Sequence, residues 1–311
     1  MAGMARAFVS RRLPGPALDR LATKHEVDLW PGDDPPTPDE LRAHTAQTDG
    51  LLSLLTDRVD ATLLDASPHL RVVSNYAVGV DNIDLAAAAE RGIPVGHTPD
   101  VLTDATADLA FALLLAAARK LPEALAAARA GGGMWGPGDH LGYSVHGQTL
   151  GIIGFGRIGR AVAQRASGFE MTVLAHGSSS GVELDELLER SDFVSIHCPL
   201  TPETRHLINA PALALMKDSA ILINTARGPI VDQAALGAAL LDGAIAGAAL
   251  DVTDPEPLPP GDPLWAAPNL IVLPHIGSAT RAARERMAEM AVDNLLAGLA
   301  GEPLPHRVGA S

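Results

Sequence analysis

The sequence predicts an α/β protein built from two open, parallel sheets. Short apolar runs alternate with helical stretches along the chain, the pattern of βαβ units. That alternation stops at a long apolar helix and a glycine-rich stretch, then begins again at Leu150. The length of 311 residues suits two domains, at roughly 100–200 residues per domain.

In the first series, apolar runs place strands at 7–10, 27–30, 50–55, 72–75 and 94–96. Helical patterns lie between them at 16–24, 37–47 and 83–91. A long helix follows over 103–119, then a second over 121–130 that ends in Gly131, Gly132 and Gly133. Residues 131–142 read as a loop or arm, with Trp135 as its one large apolar side chain. The second series has strands at 150–154, 172–175, 193–197, 220–224, 247–252 and 270–274, with helices between most of them. The last helix, 279–300, carries Met287, Met290, Ala291, Leu295 and Leu299 at helical spacing.

Composition narrows the function classes. The chain has 23 Lys and Arg against 37 Asp and Glu, a formal charge of −14. A general nucleic-acid binder would want a basic face, so no nucleic-acid partner is expected. The single cysteine, Cys198, excludes a disulfide framework and a zinc site of several thiolates. No metal is expected, and a reducing cytoplasm fits. The longest apolar run, 109–118, is ten residues, short of the roughly 18 that a spanning helix needs. The basic residues near the N-terminus follow its apolar stretch, unlike a secretory signal.

Gly154-Phe155-Gly156-Arg157-Ile158-Gly159 is a GxGxxG sequence placed directly after an apolar strand and opening a helical run. The first glycine permits a tight turn, the second admits a pyrophosphate and the third lets helix and strand pack closely. The helix N-terminus then faces the phosphates. An acid that would hold a ribose 2′-hydroxyl belongs about 20 residues after the fingerprint begins. The chain offers Gly177, followed by Ser178, Ser179 and Ser180, and no Asp or Glu. Repulsion of a 2′-phosphate is therefore absent, and no arginine is present to hold one. The expectation leans to NADP(H), with NAD(H) still accepted.

Polar residues cluster at three strand ends of the second series. Thr225, Ala226 and Arg227 follow one strand, Asp251 to Glu256 follow another, and His275 to Ser278 follow the last. Carboxyl ends of strands are where ligands sit in open α/β sheets. An arginine, an acid and a histidine can converge there beside a dinucleotide.

At this point the chain resembles the D-isomer-specific 2-hydroxyacid dehydrogenases, with details of the glyoxylate/hydroxypyruvate reductase branch. The matching stretches are GIIGFGRIGRAVA, HCPLTPETRHLI, INTARGPIVD, GAALDVTDPEPLP and LPHIGSAT, and earlier LLSLLTDRVD, VVSNYAVGVDNIDL and GIPVGHTPDVLTDATADLAFALLLAAAR. The resemblance implies a Rossmann dinucleotide-binding domain at 100–284, inserted into a flavodoxin-like substrate domain formed by 1–99 and 285–311. The cleft would lie between them, with hinges near 98–102 and 280–288. A dimerisation arm would span about 103–145, and Trp135 would either pack in its own subunit or reach its partner's cleft. A homodimer is the expected assembly.

Residue roles follow from the same resemblance. Arg227 would bind the substrate carboxylate and polarise the keto oxygen. His275 would be the general acid in reduction, paired with Glu256. Asp254 is the rival acid, and the family's spacing of 29 residues from Arg227 selects Glu256. Leu54 and the backbone around Val78 and Gly79 would contact substrate. Cofactor contacts would come from the glycine loop, Gly177, Ser178, Cys198, Pro199, Thr204, Thr225, Ala226, Asp251, His275, Gly277 and Thr106. The expected reaction is reduction of a small 2-keto acid, glyoxylate or hydroxypyruvate, to the 2-hydroxy acid. Alternatives are a phosphoglycerate, lactate or phosphite dehydrogenase, or a dinucleotide-sensing protein without turnover. The end at Ser311 disfavours the phosphoglycerate reading, and the presence of Glu256 disfavours a formate dehydrogenase.

Overall fold

The computed structural model describes residues 4–132, 135–177 and 181–309. The first part runs β1 (Arg6–Val9), α1 (Ala17–Ala22), β2 (Glu26–Leu29), α2 (Pro38–Thr45), β3 (Gly50–Ser53), α3 (Ala61–Asp65), β4 (Val72–Asn75), α4 (Leu85–Glu90) and β5 (Val95–Gly96). The second runs α5 (Thr103–Ala118), α6 (Leu121–Arg129), β6 (Thr149–Ile153), α7 (Arg157–Ser167), β7 (Thr172–His176), α8 (Leu184–Arg190), β8 (Phe193–Ile196), α9 (Ala210–Leu215), β9 (Ile221–Asn224), α10 (Gln233–Leu241), β10 (Gly247–Leu250) and β11 (Leu270–Val272). A final helix, α11, covers Arg281–Ala300.

The chain divides into two compact units, Met1–Leu102 with Ala279–Ser311, and Thr103–Ser278. The boundaries expected at 99 and 284 therefore move to 102 and 278. The reason is local. Val101 and Leu102 pack against the core of the first unit. At the other end, α11 starts at Arg281, and Tyr76 Oη of the first unit donates to the Arg284 carbonyl at 2.7 Å.

The first unit is a five-stranded parallel sheet of order β2-β1-β3-β4-β5. Its strands are short and fully buried in the middle, as a parallel sheet with both faces covered requires. Leu21 of α1 and Met287, Ala291 and Leu295 of α11 pack with Val9, Leu52 and Val72. Leu41, Leu63, Leu64 and Ala88 from α2, α3 and α4 pack with Phe8, Leu51 and Val73. Side-chain caps set the helix starts. Thr37 and Glu40 form a reciprocal capping box on α2. Asp60, Asp84 and Thr280 each accept a backbone N–H at the N-termini of α3, α4 and α11.

The second unit is a six-stranded parallel sheet, β11-β10-β9-β8-β6-β7. The chain moves outward from β6 to β7, then crosses back to β8 on the other side of β6. This reversal is the switch point beside which doubly wound sheets bind ligands. Phe111 and Leu114 of α5 and Val162 of α7 pack with Ile152, Ile223 and Ala249. Leu187, Leu213, Leu236 and Leu240 of α8, α9 and α10 pack with Ile153, Val194, Leu222 and Leu250.

The 103–119 helix, expected as the first part of the dimerisation arm, turns most of its large apolar side chains inward. Phe111, Leu113, Leu114 and Ala117 are buried in the second unit's own core. Along this stretch the large exposed apolar side chains begin with α6: Leu121 is 54 % exposed, Leu125 51 %, Trp135 87 % and Leu141 67 %.

Candidate active site

Polar groups gather at the carboxyl end of the six-stranded sheet, and each strand end contributes in a separable way. β6 runs into the glycine loop. Gly154 has φ +94°, and a Cβ there would collide with the backbone of His197 and Cys198 after β8. A Cβ on Gly159 would strike the Gly154 carbonyl. These two glycines are explained by the chain's own packing. Gly156 is not: nothing lies within 4 Å of the place its Cβ would take, and it gives α7 no side-chain cap. A helix N-terminus with an open approach over a glycine fits the pyrophosphate of a dinucleotide. Phe155 stacks beneath the Arg160 guanidinium, 5.2 Å from ring centroid to Cζ, while Arg157 and Ile158 form the first turn of α7.

Gly177, directly after β7, stands at φ +82°. That left-handed backbone favours glycine and gives a local reason for glycine where an acid was sought. Ser178 lies outside the described residues, as do Ser179 and Ser180.

After β8 come His197, Cys198 and Pro199. Burial pushes the Cys198 thiol up to about 11, so it is not a nucleophile. Thr204 organises this turn: its hydroxyl donates to the Pro199 carbonyl at 2.7 Å and accepts from the Thr201 N–H at 2.7 Å. Sequence reasoning passed over His197. Its Nε2 is 2.8 Å from Ser195 Oγ and its Nδ1 3.5 Å from Thr225 Oγ1. Burial pushes it down to about 4, which keeps the ring neutral at neutral pH. The available signal was its place, a polar residue at the end of the strand beside the glycine loop.

Arg227 is held by the loop after β9. Asn224, fully buried, donates from Nδ2 to the Arg227 carbonyl at 2.8 Å and accepts the Ala226 N–H at 3.0 Å. The guanidinium Nη1 donates to the Ala226 carbonyl at 2.7 Å. A Cβ on Gly228 would strike the Thr253 carbonyl. The arginine loop therefore packs directly on the acid-bearing loop that follows β10.

That loop separates the two candidate acids. Asp254 N–H donates to Gln233 Oε1 at 3.1 Å, and its carboxylate is 3.7 Å from Arg205 Nη2. Glu256 Oε1 is 2.6 Å from His275 Nδ1. The histidine loop is in turn fixed by Asp251, which is 1 % exposed. Its two carboxylate oxygens accept the N–H groups of Ile276 and Gly277, each at 2.7 Å. Burial raises the Asp251 carboxyl above its ordinary value, with these two bonds and His275 opposing. Thr106 of α5 donates to the Gly277 carbonyl at 3.2 Å. His275 itself stands at φ +54°. Because Nδ1 meets Glu256, Nε2 is the nitrogen left for chemistry.

This geometry predicts different outcomes for the two acids. Glu256→Gln should lower kcat for any reaction that uses His275, because the ring loses its charged partner. Asp254→Asn should leave kcat within about twofold, as expected for a surface ion pair. Steady-state kinetics on the two variants check this, and the reverse pattern would contradict it.

The remaining candidates belong to the first unit. Leu54 follows β3, and its N–H donates to Asp57 Oδ2 at 2.7 Å. Val78 and Gly79 lie in the turn after β4, where both carbonyls are taken by side chains.

Residues 111–277 match the family model described as D-isomer specific 2-hydroxyacid dehydrogenase, NAD binding domain. A glyoxylate reductase of Korarchaeum cryptofilum is 49 % identical over 97 % of this chain and 95 % of its own length. Among solved structures, a Thermus thermophilus protein superposes with a TM-score of 0.92 at 51 % identity, covering 97 % of this chain and 99 % of that one. An NADPH-dependent glyoxylate/hydroxypyruvate reductase of Sinorhizobium meliloti, in complex with NADP and malonate, does so with a TM-score of 0.85 at 34 % identity, covering 99 % and 97 %.

Proposed function

The chain belongs to the D-isomer-specific 2-hydroxyacid dehydrogenases, and from that premise we propose that it reduces glyoxylate and hydroxypyruvate to glycolate and D-glycerate. It is an NAD(P)-dependent 2-keto acid reductase. The observation that carries the finer reading is the 2.6 Å pair of His275 Nδ1 and Glu256, set beside the Arg227 loop on a sheet with an open glycine fingerprint.

The reduced nicotinamide supplies the hydride that goes to C2 of the keto acid. Gly156 and the start of α7 would hold its pyrophosphate, on the turn that Gly154 and Gly159 allow. Cys198, Pro199, Thr204, Thr225, Ala226, Asp251, Gly277 and Thr106 would form or support the wall along the dinucleotide. Arg227 draws the carboxylate and the keto oxygen with its planar fork. Val78 and Gly79 offer backbone N–H groups to the carboxylate, and Leu54 contacts the substrate. His275 Nε2 gives its proton to the keto oxygen as that oxygen becomes an alkoxide, while Glu256 holds the ring.

NADPH is the favoured reductant, because no carboxylate follows β7 to repel a 2′-phosphate. The preference is modest, because the sequence directly after β7 offers serines and no arginine to hold one. Initial rates with glyoxylate, hydroxypyruvate and pyruvate, each with NADPH and with NADH, test both claims. The expected result is turnover of the first two acids, with kcat/KM higher for NADPH and NADH still used. No oxidation of either cofactor would favour a sensing protein. A strong preference for NADH would place cofactor choice elsewhere.

Leu121 and Leu125, one turn apart on α6, with the exposed Trp135 and Leu141 that follow, are the side chains assigned to a second copy of the chain, since exposed apolar patches mark interfaces. Sedimentation at micromolar concentration should give twice the chain mass of 32.2 kDa. A single-chain mass would contradict the homodimer.

A further inference from the structure

We propose that His97 is a positioning residue for the substrate carboxylate, acting through the peptide that joins Val78 and Gly79. The inference rests on the reading above that this backbone receives the carboxylate.

Three consecutive carbonyls in the turn after β4 are tied. The Ala77 carbonyl accepts the Thr98 N–H at 2.9 Å. The Val78 carbonyl accepts from His97 Nδ1 at 2.9 Å. The Gly79 carbonyl accepts from Asn75 Nδ2 at 3.0 Å. In a planar trans peptide the C=O and the following N–H point opposite ways. Holding each carbonyl therefore sets the direction of the N–H in the same peptide: those of Val78, Gly79 and Val80. Successive backbone N–H groups that converge bind anions.

His97 is suited to this task because its own backbone is clamped. Its N–H donates to the His306 carbonyl at 3.0 Å. Its carbonyl accepts from Asn294 Nδ2 at 3.0 Å, and Asn294 Oδ1 accepts the His306 N–H at 2.9 Å. Asn294 is fully buried in α11. A carbonyl can only accept, so Nδ1 is the nitrogen that carries hydrogen toward Val78. That bond also polarises the peptide, which makes the Gly79 N–H a stronger donor to an anion. Asn75 is anchored separately, with Oδ1 accepting from Ser53 Oγ at 3.0 Å. Replacing His97 thus removes one of three anchors and leaves the other two.

The test uses the full chain with NADPH and three variants. His97→Asn places an amide nitrogen on Cγ where Nδ1 stood, so it keeps the bond to Val78. His97→Leu has no donor, and His97→Gln carries its donor one bond too far out. The Leu and Gln variants should raise KM for glyoxylate about tenfold, the scale of one lost hydrogen bond to a charged group. Inhibition by oxalate should weaken by the same factor. Both should leave kcat within about twofold, and the NADPH dissociation constant should be unchanged by fluorescence titration. His97→Asn should return KM to the parent value. A parental KM in the Leu and Gln variants, or an equal rise in all three, would overturn the positioning role while the reductase reading stands. A parent enzyme that turns over no 2-keto acid would overturn that reading, and this inference with it.

Discussion

His275→Ala is expected to lower kcat for glyoxylate reduction by about 10²–10⁴, the usual size of general acid–base catalysis. The hydride can still be placed over C2, but the developing alkoxide must take its proton from water. The loss should fall on kcat. Affinity for NADPH should change little, because His275 is one of many expected cofactor contacts and follows β11, four places in the sheet from β6 and its glycine loop. The backbone gives a further reason to watch this position. His275 stands at φ +54°, and alanine tolerates that region less well than histidine, so the thermal midpoint must be measured beside the rate. A folded His275→Ala enzyme with an ordinary kcat would remove His275 from the chemistry.

Arg227→Ala should lower kcat/KM by about 10²–10⁴, since two charge-assisted hydrogen bonds of roughly 1.5–3 kcal/mol each are lost. Arg227→Lys should recover only part of this. Lysine keeps the charge but lacks the planar fork that meets two oxygens at once. The fold should tolerate both changes, because Asn224 holds this loop through the backbone of Ala226 and Arg227 and not through the guanidinium. Steady-state kinetics decide the point, and a Lys variant equal to the parent would show that only charge is required.

The elements that were legible in the sequence are those whose side chains repeat. Apolar runs such as Val72–Asn75 and Ile221–Asn224 mark strands because both faces of a parallel sheet are covered. α3 was not legible: Ala61–Asp65 is five residues, too short to show a helical period. The 103–119 helix was legible as a helix, yet its partner was not. A stretch apolar on every side reads equally as interface or as core, and the packing of Phe111 and Leu114 decides for core.

The site divides in the same way. The glycine loop was legible because steric demands at Gly154 and Gly159 leave one residue type. The roles of Asp254 and Glu256 were not separable from residue chemistry, since both precede proline two positions apart. Gln233 and Arg205 take the first, and His275 takes the second. These partners lie 21, 49 and 19 residues away along the chain, beyond any local pattern. His197 and His97 left no motif either, because each acts by holding a neighbour: the Thr225 hydroxyl and the Val78 carbonyl.

Hydride transfer to one face of a 2-keto acid leaves its record in the chirality of the product. Hydroxypyruvate and NADPH are incubated with the enzyme, NADPH loss is followed by absorbance, and the glycerate formed is resolved on a chiral column. One D-glycerate should form for each NADPH consumed. L-glycerate, a racemic product, or no NADPH consumed would overturn the assignment of a D-specific 2-keto acid reductase.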